Sequence, residues 1–494
     1  MDANLSFESA FSNLTTLKMK TLIIINEPFE KMVLGKNNTL SYILAAFELG
    51  HEVYIHNLPK TGEAFPKNIN YLIPTLKLDT ELGISLTETF KEINQKIVNY
   101  VRNQDYIGLR ALPLTMIPEF IKNIQLQNLN LKDVDLVLQR LEPMKAPFPP
   151  EGSKSVDLAL KEIRQVFPSN IIFNCPIELS DKEIPQEINR ILQHQNEDLI
   201  ATATIEFKLS DTDFSEAFIT MRQEYQKLFG NLAEKLVLKP KNSAQTLGVF
   251  ALEVTSTGFD LPLIKSQKII DLAETQFYKI KDNIDKNSLK EIVEILCFVQ
   301  RVRNNKIIFD NLKHKIISEV SRDEIVKNAL ELYNEEILVQ PFIEGVKLGD
   351  VRTNYLKDEN GYFYIAGTTF RSSLREKNDK SFTTSYITGG AISKPLLALS
   401  LEEQKDLLKK SKRILEILNK DLRDQYKNST ELGADFILVG DAKTVLLGEI
   451  NHHCPGLLPI SEAMEKATNQ AAFYDGGLAL TKRAITDLIK LQKI

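Results

Sequence analysis

Gly433-Ala-Asp-Phe-Ile-Leu-Val439, then a Gly440-Asp441 turn, then Val445-Leu-Leu-Gly-Glu-Ile-Asn451 reads as two apolar strands carrying a few oxygen donors. The turn doubles the first strand back on the second and brings Asp435 near Glu449 and Asn451. Side chains at i and i+2 of a strand share a face, so Glu449 and Asn451 point the same way. Two carboxylates and an amide oxygen form the hard donor set that Mg²⁺ prefers when it also carries nucleotide phosphates. A solvated hairpin with scattered acids would have the same composition. The apolar setting and the elements upstream favour the metal reading.

Working outward, Lys239 closes the apolar strand Lys235-Leu-Val-Leu-Lys-Pro240. A lysine held there suits phosphate as a point charge, although a strand-end ammonium resting in water reads equally well. In Val339-Gln-Pro-Phe-Ile-Glu344 a proline interrupts a strand. Pro341 has no N–H, so neighbouring backbone groups are open to a base edge, or the strand is simply a turning edge. Gly349-Asp-Val-Arg352 sets Asp350 and Arg352 on one face, where a guanidinium can meet phosphoryl oxygens bidentately or form a surface ion pair. Arg371 ends the partner strand of this segment. Ser385-Tyr-Ile-Thr-Gly-Gly-Ala391 is a small-residue loop that permits close backbone approach to a ligand.

Composition narrows the setting. With 494 residues the chain exceeds one hydrophobic core and divides into domains. The 61 basic and 66 acidic residues leave a net charge of −5, which argues against a nucleic-acid or anionic-membrane partner. Cys175, Cys297 and Cys454 lack metal-type spacing, and so few cysteines fit a reducing, cytoplasmic compartment. No apolar run approaches the ~18 residues of a membrane span. Residues 1–19 read as a leader without the apolar core of a secretory signal.

The chain opens strand–helix–strand: Thr21–Asn26, a helix from Asn38 to Leu49, and Glu52–His56. No glycine-rich turn follows the first strand, so a dinucleotide fingerprint is absent. Asp133–Arg140 is the next strand, followed by the proline-rich loop Pro143–Pro150, a helix over Val156–Val166 and a strand ending at Phe173. Farther on, Phe214–Phe229 and Leu401–Leu422 carry helical periodicity. Residues 260–334 also read as helical.

The order of these features resembles the ATP-grasp superfamily, and within it the bacterial glutathione synthetase type. Leu136-Val-Leu-Gln-Arg-Leu-Glu-Pro143 with Phe148, Asn174-Cys-Pro176 and Leu238-Lys-Pro240 look like three further segments of that family. The resemblance implies an α/β fold with a parallel-sheet (pre-ATP-grasp) domain over 20–175. An ATP-grasp fold of two α+β subdomains would follow, over 176–254 and 336–494, with a helical insertion at 255–335. That insertion is open to use as a lid, a partner surface or the contact of a homo-oligomer.

The implied activity is ATP-dependent joining of a carboxylate to an amine through an acyl-phosphate, releasing ADP. The substrates would be amino acids or a short peptide, with no nucleic-acid or membrane partner. Asp435, Glu449 and Asn451 would hold two Mg²⁺ ions, with Mn²⁺ as an alternative. Lys239, Ser243, Thr246 and Asp350 would serve the nucleotide phosphates, and the backbone at Gln340, Phe342 and Ile343 the adenine. Arg352 and Arg371 would stabilise the transferring phosphoryl group. Arg140 would meet a substrate carboxylate, and Gly389, Gly390 and His452 would lie on the substrate side.

This chain departs from the family pattern at four places. Its phosphate loop, Lys241–Gly248, has one glycine. The early lysine expected near Pro185 has only Lys182 nearby. Ala391-Ile-Ser-Lys394 replaces an arginine–glycine continuation, and His452-His-Cys-Pro-Gly456 replaces small hydroxyl residues. Two alternatives therefore stand beside a glutathione synthetase-like ligase. One is an ATP-grasp ligase for another amino acid or small peptide, and the other a non-catalytic ATP-binding relative that acts through partners.

Overall fold

Three sheets organise the described residues of the computed structural model, which are 19–26, 29, 38–58, 65–103, 126–141, 153–168, 171–174, 183–208, 214–230, 233–241, 249–255, 278–281, 291–292, 294–296, 298–299, 323, 336–373, 391–394, 399–440, 443–452 and 476–492. The first sheet comprises β1 (Lys20–Ile25), β2 (Glu52–Asn57), β3 (Leu72–Lys77), β4 (Leu126–Asn130), β5 (Leu136–Arg140) and β6 (Ile172–Phe173). Their order is β4-β3-β2-β1-β5-β6. Strands β2, β1, β5 and β6 run parallel, while β3 and β4 join antiparallel at one edge.

The unbroken apolar run of β1 is what a parallel strand covered on both faces requires. Leu22 and Ile24 enter one core, and Ile23 and Ile25 the other. Helices α1 (Asn38–Glu48) and α2 (Thr80–Arg102) pack on the second of these, the latter through Leu82, Leu86, Phe90 and Ile93. Helix α3 (Ser153–Val166) covers the opposite face with Leu160 and Ile163.

The second sheet contains β7 (Ile205–Lys208), β8 (Lys235–Pro240), β9 (Phe250–Thr255), β10 (Tyr278–Lys281) and β11 (Glu336–Pro341), in the order β10-β9-β8-β11-β7. Strand β10 corrects the expectation that 260–334 is helical throughout. Tyr278-Lys-Ile-Lys281 alternates with period two and pairs parallel to β9, whose edge backbone groups it satisfies. Helical residues do occur in the segment, where Ile292, Ile295, Leu296 and Val299 are buried.

The third sheet is antiparallel throughout: β12 (Gly349–Lys357), β13 (Phe363–Ser373), β14 (Ala391–Lys394), β15 (Glu431–Val439) and β16 (Thr444–Asn451), ordered β14-β13-β12-β15-β16. Another helix (Leu401–Lys420) opens with a reciprocal Ser400/Glu403 capping box. Its Leu407, Ile414, Ile417 and Leu418 pack with Val351, Tyr355, Ala434, Phe436 and Leu447. Alternation then leaves Asp350, Arg352 and Asp435 on the face away from this helix.

Spatial units do not follow chain order. The helix Ile184–His194 packs on the third sheet through Ile184, Ile188 and Leu192. Just beyond it, Leu447 N–H donates to Ile200 O and Thr202 N–H to Leu447 O (2.9 and 2.8 Å). The final helix, Gly476–Gln492, returns to the first unit, where Ala484, Ile485 and Leu488 join Leu40, Ile43 and Leu356. Among the described residues no helix is long and apolar enough to cross a membrane.

Candidate active site

Four adjacent strands bring the charged residues into one row. Register pairs Asp350 with Arg371 across β12/β13, Arg352 with Asp435 across β12/β15, and Asp435 with Glu449 across β15/β16. Arg352 donates from Nε to Asp435 Oδ1 and from a terminal nitrogen to Oδ2, both at 2.7 Å. Arg371 bonds Asp350 through Nε and lies 2.9 Å from Asp435 Oδ1. Asn451 Nδ2 donates to Asp435 Oδ2 at 2.9 Å and reaches Glu449 Oε1 at 3.5 Å.

A β-bulge places Glu449 in this row. Val445 and Leu447 face the helix-covered core, so strict alternation would send residue 449 there as well. The β15/β16 register shifts after Asp435, leaving Gly448 without a partner. That extra residue turns Glu449 and Asn451 onto the face of Asp435 while Ile450 faces the core. Glycine suits the position because a Cβ would lie 3.0 Å from Ile437 Cδ1.

Charge decides the protonation of Asp435. Burial disfavours the Asp435 carboxylate, but the Arg352 and Arg371 guanidiniums outweigh burial and hold its pKa at about 2. Lys239 extends from β8 of the second sheet into the same field. Desolvation lowers its pKa, while Glu449 and then Asp435 favour its charged form. The strand lysine and the hairpin acids, 196 positions apart or more in sequence, thus belong to one electrostatic site.

The donor set suits a hard divalent cation in kind, with two carboxylates and a side-chain amide on one face. Among the described residues no group of three or more His, Cys, Asp or Glu side chains is placed to hold a metal. Remaining ligands would come from water or phosphate, as is usual for Mg²⁺. Asp435 already accepts guanidinium N–H bonds on both oxygens, so a cation there would take the place of such contacts.

The residues expected on the adenine side lie at the end of β11. Gln340 is buried, and its amide donates to Thr202 Oγ1 at 3.2 Å and Thr204 Oγ1 at 2.8 Å. Phe342 packs with Val237 and Ala251, and Ile343 is buried. The backbone N–H of Phe342 was expected to be open beyond Pro341. Instead it donates to Lys235 O at 2.9 Å, because the β8 ladder extends one residue past the proline. Ser243, Thr246, Gly389 and Gly390 lie outside the described residues.

Arg140 requires a correction. Expected to meet a substrate carboxylate, it is paired inside the protein: Nη1 lies 2.5 Å from Glu431 Oε1, and each side chain is 1% exposed. Its guanidinium also stacks over the Tyr42 ring at 3.9 Å, and Tyr42 Oη donates to Glu431 Oε2. A buried guanidinium requires a counter-charge, and Glu431 at the start of β15 supplies it. His452 is likewise buried, with its carbonyl accepting from Asn174 Nδ2 at 2.8 Å. Sequence reasoning passed over Glu431, Tyr42 and the role of Asn174. The available signal was Glu431 itself, an acid opening a strand in which Asp435 is the only other charged residue.

No protein-family model matches the sequence, and neither does any curated protein. Among solved structures the chain is similar to D-alanyl-alanine synthetase A from Vibrio cholerae, at 9% identity and a TM-score of 0.43, covering 95% of this chain and 99% of that one. It is also similar to the VanG D-Ala:D-Ser ligase from Enterococcus faecalis, at 11% identity and a TM-score of 0.41, covering 96% and 99%. A third is the biotin carboxylase domain of Hydrogenobacter thermophilus 2-oxoglutarate carboxylase, at 11% identity and a TM-score of 0.37, covering 92% and 71%. At TM-scores below 0.5 these are likenesses of outline, and the site stands on its own residues.

Proposed function

We propose that the chain is an ATP-grasp ligase that uses ATP to join a carboxylate to an amine, releasing ADP and phosphate. The carrying observation is the convergence of Arg352 and Arg371 on Asp435, with Glu449 and Asn451 beside it on the same face and Lys239 of the second sheet within the field of both acids. Three cationic groups beside three carboxylates, Asp350, Asp435 and Glu449, and Asn451 leave the row near neutral, which suits a polyanion that arrives together with its own divalent cations.

In this reading Asp435, Glu449 and Asn451 hold Mg²⁺, as two ions, with Mn²⁺ able to substitute. Bound Mg²⁺ supplies Lewis-acid screening of the phosphate charge. Lys239 meets the phosphates as a point charge; burial lowers its pKa, and the neighbouring acids oppose that shift. Arg352 and Arg371 sit where their N–H groups can turn from Asp435 to phosphoryl oxygens, giving preorganised stabilisation as charge moves onto the acyl-phosphate. Asp350 orients Arg371 through its Nε–H. Buried Gln340, Phe342 and Ile343 form the floor on the base side.

The substrates we infer are an amino acid or short peptide acid and a small amine. With Arg140 paired to Glu431, the glutathione synthetase-like version has lost its expected carboxylate contact. The proposal therefore extends to amide-forming ligases of other amino acids. The test is acceptor-dependent ADP release with Mg²⁺ across a panel of amino acids, dipeptides and γ-glutamyl acids. Turnover should appear with at least one acid–amine pair and be lost in Glu449→Gln. ATP binding without any acceptor-dependent turnover would identify a non-catalytic binder instead, and full turnover in Glu449→Gln would refute the metal assignment.

A further inference from the structure

Asn174 sits at the C-terminal end of β6 with a positive φ of 53° and no solvent exposure. Asparagine tolerates this left-handed region better than most side chains. The conformation aims its amide out of the first sheet at the third. Asn174 Oδ1 accepts from the backbone N–H groups of Thr430 at 3.2 Å and Glu431 at 3.4 Å. Its Nδ2 donates to the carbonyl of His452 at 2.8 Å.

These contacts have a specific place in the hairpin. Glu431 opens β15, Thr430 immediately precedes it, and His452 follows the last residue of β16. Gly433 pairs with Asn451, so both sets lie at the open end of the β15/β16 ladder, opposite the Gly440 turn. One side chain therefore bridges the two strands where no covalent turn joins them. The bridge adjoins Asn451 and lies four residues from Asp435.

Asn174 is itself held from β5. Gln139 Nε2 donates to Asn174 O, and Gln139 Oε1 accepts from Leu141 N at 3.2 Å. Arg140, the next residue of β5, grips Glu431. Successive residues of the first sheet thus reach the same end of the hairpin, one through Asn174 and one directly.

We propose that Asn174 is a positioning residue that staples the open end of the β15/β16 hairpin and so sets the spacing of Asp435, Glu449 and Asn451. The proposal deepens the ligase reading, since that spacing matters for cation-assisted nucleotide binding. A merely structural asparagine would affect stability alone, whereas a staple changes metal dependence at constant fold.

The test combines amide hydrogen exchange on the full chain with ADP binding titrated in the presence and absence of Mn²⁺. Asn174→Gly keeps the positive φ and removes the side-chain bonds. Its Thr430 and Glu431 amides should exchange about tenfold faster, the loss of roughly one hydrogen bond's worth of protection, with Leu22–Ile25 unchanged. The gain in ADP affinity on adding Mn²⁺ should shrink about tenfold, with metal-free ADP affinity unaltered. Asn174→Asp keeps the acceptor and loses the donor to His452, so it should retain Thr430 and Glu431 protection yet still lose Mn²⁺ dependence.

Wild-type exchange at Thr430 and Glu431 in Asn174→Gly would overturn the staple. So would an equal loss of ADP binding with and without Mn²⁺. Should Asn174→Gly fail to fold, Asn174→Asp decides, because undiminished Mn²⁺ dependence there overturns the proposal. A wild-type protein whose ADP binding ignores Mn²⁺ would remove the ligase reading, and the exchange data alone would still decide the staple.

Discussion

Arg352 closes on Asp435 with two N–H···O bonds of 2.7 Å, one to each carboxylate oxygen. Direct register opposition on β12 and β15 makes this fork possible. Lysine would keep the charge and lose the planar fork. Arg352→Lys is expected to reduce nucleotide-dependent turnover at least about tenfold while the fold persists. Arg352→Gln should raise the Asp435 pKa from about 2, because a guanidinium that holds it down is gone. Carboxyl NMR titration of Asp435 checks the direction.

Burial makes the Arg140–Glu431 pair sensitive to removal of one partner. Arg140→Ala leaves Glu431 charged inside the protein and should cost about 3–5 kcal/mol. The double variant Arg140→Met/Glu431→Leu replaces both charges with apolar groups and should recover most of that loss. Urea denaturation of the three proteins measures it. A single variant as stable as wild type would show that the pair is not the buried, desolvated contact described above.

Lys357 provides a pH dependence away from the site. It is buried, with Nζ donating to the carbonyls of Tyr426 and Lys427 and lying over the Phe363 ring. Burial, with a smaller contribution from Arg423, lowers its pKa to about 7. An unfolded lysine keeps its proton to about 10.4, so between these values the unfolded chain binds more protons. Stability from this group therefore rises as pH increases from about 7 towards ~10. Lys357→Met should flatten that slope in denaturation curves taken across the same window.

Gly345 lies in the short 3₁₀ turn Glu344–Lys347 between the second and third sheets. A Cβ there would fall 1.7 Å from the carbonyl oxygen of Leu438. Backbone cannot yield as a side-chain tip can, so the turn must move off the end of β15. Gly345→Ala is expected to destabilise by about 1–3 kcal/mol, the usual cost of overpacking. Nucleotide affinity should also fall, because Lys239 and the hairpin acids are carried by sheets on either side of this turn. Thermal melting and ADP titration together test both effects.

The elements legible in the sequence were those whose burial imposes a simple period. The run around Leu22–Ile25, the helix Phe214–Phe229 and the amphipathic stretch beginning at Leu401 lie close to their expected bounds. Strands β3 and β4 were not anticipated, because Leu72 and Leu126 are exposed and blur the alternation. The four-residue β10 was hidden inside a helical pattern too long for so short a strand to interrupt.

By itself the sequence determined which chemistry could occur: a lysine ending one strand, an Asp-x-Arg on another, and a hairpin bearing Asp435, Glu449 and Asn451. Those are local facts, since strand period and turn chemistry act over a few residues. Only the tertiary structure decided which charges meet. The bulge at Gly448 turned Glu449 towards Asp435, and packing drew Lys239 into their field. Packing also withdrew Arg140 from any substrate by giving it Glu431, 291 positions along the chain. A charge leaving water must find a partner wherever the fold supplies one, and sequence spacing does not record that choice.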